Sequence, residues 1–146
     1  MTEQNLMRIM PFATTANVKK YSPWLDSAMA RYEINTPKRM AAFIAQLAHE
    51  SGCFRYVREI APGAAYEGRK DLGNTQVGDG VRFKGRGLIQ ITGRFNYAAA
   101  GKAFGVDFIS SPDLLETPQY ATLVAAWYWK KHGLNELADA GNFEKI

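Results

Sequence analysis

Two glutamates near the middle of the chain have residue types and spacing suited to acid–base chemistry. Glu50 lies in residues 48–54, Ala-His-Glu-Ser-Gly-Cys-Phe, and Glu59 follows nine residues later. A second stretch, residues 85–97, places glycines before three neutral polar side chains, Gln90, Thr92 and Asn96. Two carboxylates facing a polar, glycine-rich wall are the groups that hydrolyse a glycosidic bond, one as acid and one as base. The pattern therefore predicts a hydrolase of sugar polymers in which Glu50 and Glu59 share one cleft.

A helix predicted to start at Pro37 places Glu50 beside an apolar stripe. Thr36 before Pro37 is a typical helix start. The threonine hydroxyl can accept a hydrogen bond from a backbone N–H that has no partner within the helix, and proline has no N–H that would be left unpaired. At about 100° per residue, Glu50 falls about 20° from Phe43, whereas His49 points away from the stripe. A carboxyl group half embedded there is poorly solvated, which keeps a proton available for a leaving oxygen. The alternative is an ordinary surface glutamate near a helix end.

The spacing alone does not decide which side chain is the second carboxylate. Glu59 lies beyond the predicted helix end, where Arg55 and Arg58 could keep it ionised, as a base requires. An ordinary ion pair is the alternative for Glu59. Glu67 and Asp79 compete with it for the same role.

The polar side chains of residues 90–96 suit sugar recognition. Amides and hydroxyls of this kind can orient a water molecule or bind sugar hydroxyls and acetamides. The alternative for each is a role in a turn or cap, and Thr92 could cap a helix that starts at Arg94. Other chemistry has little support, since Cys53 lacks a base partner and His49 and His132 lie far apart in the chain. We therefore expect no metal site and no cofactor.

Composition limits the class of protein. The chain has 146 residues, a net charge of +4 and one cysteine, so it suits one domain without an internal disulfide, as in a reducing cytosol. The first residues lack the basic-then-apolar pattern of a signal peptide, and no apolar run approaches the ~18 residues of a membrane span. The mild basic excess is compatible with an anionic polymer, although most such charge is solvated surface.

Helix signals dominate the remaining sequence. Hydroxyl–proline pairs at Ser22-Pro23, Thr36-Pro37, Ser111-Pro112 and Thr117-Pro118 predict helix starts, and further helices are expected from Arg94 to Phe104 and from Leu134 to Asp139. Residues 61–87 hold seven of the thirteen glycines and have no helical period. We predict a long central loop there, with a small hairpin that pairs residues 81–84 with 88–91. The expected fold class is mainly α.

Over residues 40–126 the chain resembles glycoside hydrolase family 19, most closely the branch used as endolysins by bacteriophages and prophages. The resemblance rests on residues 48–52 with Phe54, on Glu59, on residues 66–69 with 72–74, and on residues 84–94 with Asn96 and Tyr97. It implies a helical, lysozyme-like fold. It also implies an enzyme that cleaves β-1,4 bonds of chitin or peptidoglycan with inversion at the anomeric carbon.

The resemblance also implies roles by position. Glu50 matches the general acid, Glu59 the second carboxylate, and Thr92 a residue that helps to hold the attacking water. The expected substrate-binding residues are His49, Tyr66, Gln90 and Asn96. Members of the family usually continue beyond residues 143–146 with an arginine and an Asn-Gly-Gly segment. The single catalytic domain, 1–146, is therefore expected to be naturally short or truncated at its C-terminus.

The expected partner is the glycan strand of peptidoglycan, with no nucleic acid and no membrane insertion, bound by a monomer. The protein is expected to be made in a bacterial cytoplasm without a signal peptide and to reach the cell wall by holin-type release; a secreted toxin is the alternative. A lytic transglycosylase or a chitinase is the competing enzyme. A non-enzymatic module that binds glycan or nucleic acid would use the basic residues Arg82, Lys84, Arg86 and Arg94.

Overall fold

Seven α-helices and four 3₁₀ turns form the fold, and the computed structural model describes every residue from 1 to 146. The helices are α1 (Glu3–Ile9), α2 (Thr15–Arg31), α3 (Pro37–Ser51), α4 (Asp79–Arg82), α5 (Arg94–Phe104), α6 (Pro118–Lys131) and α7 (Leu134–Asp139). The 3₁₀ turns are Ala64–Tyr66, Lys70–Leu72, Pro112–Glu116 and Phe143–Lys145. Extended pairing is limited to two isolated bridges, which join Arg86 to Arg58 and to Ile91. The prediction of a mainly α protein is confirmed.

Four helices begin where their local signals predict. The Thr36 hydroxyl accepts a hydrogen bond from the Arg39 N–H at 3.2 Å, and the Thr117 hydroxyl accepts one from the Tyr120 N–H at 3.5 Å. Both hydroxyls therefore cap their helices, α3 and α6. Helices α5 and α7 have the predicted bounds. Gly105 ends α5 with a φ of 65°, a left-handed conformation that glycine adopts without strain.

Two other helix starts, predicted at Pro23 and Pro112, are wrong. Pro23 lies inside α2, which begins about two turns earlier, at Thr15, behind the cap residue Thr14. Proline has no N–H to donate within the helix, but α2 continues because Tyr21 and Leu25, on either side of Pro23, are both buried. Pro112 starts only a 3₁₀ turn, and Ser111 makes no side-chain capping bond there.

The predicted hairpin within the central loop is absent. Residues 79–82 form α4, and residues 88–91 do not pair with them. Arg86 is the residue that pairs, with Arg58 on one side and Ile91 on the other. Thr92 does not cap α5, because its hydroxyl donates to the carbonyl of Gln90 at 3.0 Å.

The first N–H of α5 is instead bound by a residue far away in the chain. The N–H of Arg94 donates to Oδ1 of Asn74 at 3.0 Å, and Nδ2 of Asn74 donates to the Tyr66 carbonyl at 2.9 Å. The side chain of Asn74 is fully buried. The long loop is thereby tied to the start of α5 and is ordered by tertiary contacts.

Two groups of buried apolar residues organise the molecule. The larger, here the helical core, joins α1, α2, α3, α6 and α7, and in it Phe43 packs edge-on against Trp129 at 5.3 Å. The smaller, here the loop core, comprises Phe83, Ile91, Tyr97, Ala100, Phe108, Leu115 and Val124. Helix α6 contributes to both cores, and Ile89 packs against both. No helix is both long enough and apolar enough to span a bilayer.

Candidate active site

Glu50 lies in the last turn of α3, at the edge of the helical core. Its side chain is half-buried, as its place beside the apolar stripe predicts. Gln46, one turn earlier, donates a hydrogen bond from Nε2 to Oε1 of Glu50 at 3.1 Å. The other carboxyl oxygen of Glu50 accepts no hydrogen bond from the protein. A carboxyl group held by one oxygen can carry a proton on the other, as a general acid must.

The chain reverses sharply after Glu50. Gly52, Cys53 and Phe54 have φ values of 58°, 58° and 68°, a run of left-handed residues that glycine alone adopts freely. Such a conformation costs about 1–3 kcal/mol for an ordinary residue, so surrounding contacts must hold it. Phe54 is buried against Tyr21 at 5.1 Å, and its N–H donates to the Ser51 hydroxyl at 2.9 Å. This reversal determines where the segment that carries Glu59 leaves α3.

Glu50 lines a cavity of about 360 Å³, here the Glu50 cavity. Its other lining residues come from α3, from residue 89, from the end of α6, from α7 and from the last residues: Gln46, Ile89, Tyr128, His132, Leu134, Leu137, Lys145 and Ile146. The rings of Tyr128 and His132 lie 4.0 Å apart. A volume of this size is within the ~300–1,000 Å³ that is usual for ligand pockets.

Glu59 is held by donors on both carboxyl oxygens. The Tyr66 hydroxyl donates to Oε1 at 2.6 Å, and the N–H of Gly85 donates to Oε2 at 3.1 Å. The N–H of Glu59 in turn donates to the Gly85 carbonyl at 2.8 Å. The bond to the Glu59 carboxylate, followed by partial burial, raises the pKa of Tyr66, so the phenol remains a donor. Because an ionised carboxylate only accepts hydrogen bonds, two donors suit Glu59 as a base.

The polar side chains of Gln90 and Thr92 lie close to Gly85, the residue whose N–H binds Glu59. A Cβ atom on Gly85 would lie 2.6 Å from Oε1 of Gln90 and 3.4 Å from Oγ1 of Thr92, so a side chain at this position would displace the end of Gln90. Asn96 donates from Nδ2 to the Thr92 carbonyl at 2.8 Å. Glu59, Gln90 and Thr92 thus meet around one glycine, with Asn96 attached to them through Thr92.

Glu50 and Glu59 line different cavities, and their sharing of one cleft stays a prediction. Glu59 lines a cavity of about 450 Å³, here the Glu59 cavity. Its other lining residues are Arg55, Tyr56, Val57, Arg58, Ile60, Lys84 and Glu116. Ile89 lines the Glu50 cavity, whereas its neighbour Gln90 lies against Gly85, which binds Glu59. Residues 89 and 90 therefore connect the walls that carry the two carboxylates.

The arginines expected to hold Glu59 have other contacts. Arg58 lies 4.0 Å from a carboxyl oxygen of Glu116, and Arg55 lies over the ring of Tyr56 at 5.3 Å from its centroid. Neither makes an ion pair with Glu59, so the alternative of an ordinary ion pair for Glu59 is wrong. The bonds to Glu59 come from Tyr66 and Gly85, which only the folded loop brings within reach.

The competing carboxylates, Glu67 and Asp79, act within the loop. Glu67 accepts bonds from the N–H groups of Gly80 and Gly78 at 3.0 and 2.8 Å, and these bonds lower the pKa of Glu67. Asp79 is buried, and both of its oxygens accept bonds from the Arg94 guanidinium, at 2.8 and 2.9 Å. That pairing lowers the pKa of Asp79. Both carboxylates are thus engaged in ordering the loop.

The basic residues that a binding module would use are also engaged. Arg82 donates to the carbonyls of Ile109 and Ser110, and Arg86 pairs with Glu116 at 2.9 Å. With Arg94 bound to Asp79, only Lys84 of the four makes no side-chain bond. These residues therefore do not form an open cationic patch, which weakens the nucleic-acid alternative.

His49 is exposed, accepts and donates no hydrogen bond, and does not line the Glu50 cavity. Its substrate-binding role stays a prediction, as do those of Tyr66, Gln90 and Asn96. The sequence analysis missed Gln46, Tyr128, His132 and Lys145 around Glu50. The four-residue spacing from Gln46 to Glu50 could have identified the first of these. Nothing in the local sequence indicates that the end of α6 approaches Glu50.

A family model of glycoside hydrolase family 19, described as chitinase class I, matches residues 16–137. An endochitinase of Arabidopsis thaliana is 40% identical over 107 residues, which cover 72% of this chain and 37% of that protein. The chain thus spans little more than a third of that relative. A glycosyl hydrolase family 19 domain-containing protein of Haemophilus influenzae is 29% identical over 177 aligned positions, which cover all of this chain and 84% of that protein.

Solved structures share the fold. Chitinase C from Streptomyces griseus superposes with a TM-score of 0.70 at 27% identity, over 88% of this chain and 53% of the other. A family 19, class IV chitinase from Zea mays gives a TM-score of 0.72 at 25% identity, over 93% and 74% of the two chains. The helical architecture seen here is therefore the architecture of these chitinases.

Proposed function

Since the chain belongs to glycoside hydrolase family 19, we propose that it hydrolyses β-1,4 bonds of a glycan by acid–base catalysis with inversion. The observation that carries the proposal is the difference between the two carboxylates. Glu50 has one oxygen without a hydrogen bond and lines a cavity, whereas both oxygens of Glu59 accept bonds. The first arrangement suits a proton donor and the second suits an anionic base.

In the proposed reaction, Glu50 donates its proton to the bridging oxygen while a water molecule attacks the anomeric carbon from the opposite face. Glu59 takes a proton from that water, and Thr92 and Gln90, which lie against Gly85 beside Glu59, orient it. Inverting enzymes need about 6.5–9.5 Å between the carboxyl groups to admit water, whereas retaining enzymes need about 5–5.5 Å. The proposed inversion therefore requires the wider spacing between Glu50 and Glu59. The substrate then lies across residues 89 and 90.

The proposed polymer is the glycan strand of peptidoglycan, cut by a monomeric enzyme that acts as an endolysin after release from the cytoplasm. The sequence resemblance to phage endolysins and the net charge of +4 support this choice. Chitin is the second candidate, because the plant and Streptomyces relatives are named as chitinases.

Glu50→Gln and Glu59→Gln test the proposal on purified cell walls. Both variants should fold, as judged by circular dichroism, and neither should reduce the turbidity of the walls. Mass spectrometry of the products released by the unmodified protein should show ordinary reducing ends. Products lighter by one water would identify a lytic transglycosylase, and release from chitin oligomers alone would identify a chitinase. If Glu50→Gln retains lysis, the assignment of Glu50 is wrong.

A further inference from the structure

We propose that the Glu59 cavity is a subsite for a carboxylate carried by the glycan, bound by Arg55 and Lys84. This proposal rests on the proposed function and adds the chemical feature that the enzyme selects. The ligand group is a carboxylate on a substituent of the sugar chain, either an ether-linked lactyl group or a peptide attached to it. A neutral chitin strand has no such group.

The charges that line the cavity leave two cations without a partner. Of its two carboxylates, Glu59 accepts bonds from Tyr66 and Gly85, while Glu116 pairs with Arg86 at 2.9 Å and lies 4.0 Å from Arg58. Arg55 and Lys84 line the same cavity and form no ion pair with any carboxylate of the chain. The cavity therefore contains two cations, Arg55 and Lys84, that no carboxylate of the protein pairs with.

Lys84 projects from a backbone that is held on both sides. Its carbonyl oxygen accepts a hydrogen bond from the Tyr97 hydroxyl, and the next residue, Gly85, donates its N–H to Glu59. Tyr97 is itself fully buried in the loop core. Lys84 is half-buried, so its charge is less screened by solvent than a charge on an open surface. A cation carried by a fixed backbone loses less conformational freedom when it binds an anion.

The remaining wall of the cavity suits a charged group on an aliphatic stem. Arg55 stacks over Tyr56, which limits the positions of its guanidinium, and guanidinium binds carboxylate through two parallel hydrogen bonds. Ile60 is 78% exposed beside these cations. An exposed apolar side chain next to two free cations fits a lactyl or peptide carboxylate better than a bare inorganic anion.

The experiment compares Arg55→Gln/Lys84→Gln with a control of equal charge change, Lys19→Gln/Lys102→Gln, whose exposed lysines lie on α2 and α5. Four probes are used: intact peptidoglycan, glycan strands stripped of peptide that keep the free lactyl carboxylate, the same peptidoglycan with its carboxylates converted to amides, and chitin hexamer. The first variant should lose about tenfold in kcat/KM on the probe whose carboxylate is bound, intact peptidoglycan or stripped strands, and nothing on the amidated or chitin probes. The control should match the unmodified protein on all four.

The pattern across probes decides the outcome and the source of the carboxylate. Because the lactyl carboxyl group of intact peptidoglycan is amide-bonded to the peptide, loss on the stripped strands alone identifies the lactyl group. Loss on intact peptidoglycan alone identifies a peptide carboxylate, and loss on both shows that either carboxylate is bound. An equal loss on the amidated probe, no loss on any probe, or an equal loss in the control overturns the proposal. Stronger competition by an RNA than by stripped strands also overturns it.

A binding experiment distinguishes failure of the subsite proposal from failure of the proposed function. Stripped strands and, separately, soluble strands that keep their peptides are titrated by calorimetry into Glu50→Gln, with and without the two cavity substitutions. Binding that weakens about tenfold on removal of Arg55 and Lys84 supports the subsite even if the protein cleaves no glycan. Unchanged binding overturns the subsite, whatever the activity.

Discussion

The helix that carries Glu50 and the loop that carries Glu59 obtain their rigidity from different sources. Helix α3 is a regular element with a threonine cap, and the one bond to the Glu50 carboxyl comes from Gln46, four residues away. Glu59 lies in irregular chain, and the donors to its carboxylate are seven and 26 residues away. One carboxylate is positioned by local geometry and the other by closure of a long loop.

This difference extends to the surroundings of each carboxylate. The helical core holds α3 through buried apolar contacts such as Phe43 against Trp129. The loop core is smaller, and the loop above it depends on polar bonds that run from one part of the chain to another, such as Asp79 with Arg94 and Arg86 with Glu116. Damage to the helical core should therefore unfold the protein, while damage to the loop should displace Glu59 before it unfolds the protein.

The largest expected effect is from Phe43→Ala in the helical core. Phe43 is fully buried, and truncation of a core phenylalanine costs about 3–5 kcal/mol through lost burial and the cavity left behind. Urea unfolding followed by circular dichroism should show this loss in one transition, with activity lost in parallel with helicity. Activity that disappears well before helicity would contradict the assigned role of the helical core.

Arg94→Ala should affect the loop first. It leaves the buried carboxylate of Asp79 without its partner, which costs about 3 kcal/mol. Because Arg94 follows Thr92 and Gly93 directly, we expect activity to fall in conditions where the helices remain intact. Arg39→Ala is the matched control, since Arg39 makes a similar two-bond pair with Asp139 on the exposed surface and should cost much less. Equal losses of activity in the two variants would refute the distinction between loop and helices.

A smaller effect is expected from Thr36→Ala at the start of α3. The change removes the hydroxyl that accepts the Arg39 N–H and should cost about 1 kcal/mol of unfolding free energy. Ser111→Ala is the control, because Ser111 precedes Pro112 in the same way but makes no capping bond. The midpoint of urea unfolding should fall for Thr36→Ala only. A similar fall for Ser111→Ala would show that hydroxyl–proline pairs act without the bond seen here.

The smallest expected effect is a response of the loop to acid. The bonds from Gly80 and Gly78 lower the pKa of Glu67 below its unfolded value of about 4.3. The stabilisation is therefore complete above that pH and is lost as the pH falls through the folded pKa. Between pH 7 and pH 3 the unfolding midpoint should fall less in Glu67→Gln than in the unmodified protein. Glu144→Gln is the control, because it alters an exposed glutamate whose side chain makes no hydrogen bond, and it should not reduce the fall. Identical curves for all three proteins would show that Glu67 does not contribute to the pH dependence.

The sequence alone was sufficient for the elements that depend on near neighbours. Thr36 with Pro37 and Thr117 with Pro118 predicted the starts of α3 and α6, and Gly105 predicted the end of α5. These signals work because capping bonds join residues only a few positions apart. The half-buried position of Glu50 followed from the same helical period.

Pro23 shows where local signals fail. A proline after serine predicted a helix start, yet α2 runs through it from Thr15. Burial of Tyr21 and Leu25 against the rest of the helical core outweighs the loss of one backbone bond. Such a decision depends on residues that pack against the helix, which the segment itself does not reveal.

By itself, the sequence determined the starts of α3, α5, α6 and α7, the threonine caps of α3 and α6, and the place of Glu50, since each depends on backbone geometry within one or two turns. Only the tertiary structure decided that Tyr66 and Gly85, not Arg55 and Arg58, bind Glu59, and that the two carboxylates line separate cavities. The physical reason is that hydrogen bonds across a long loop form only after the loop closes on a packed core. Which partners then meet depends on the whole chain.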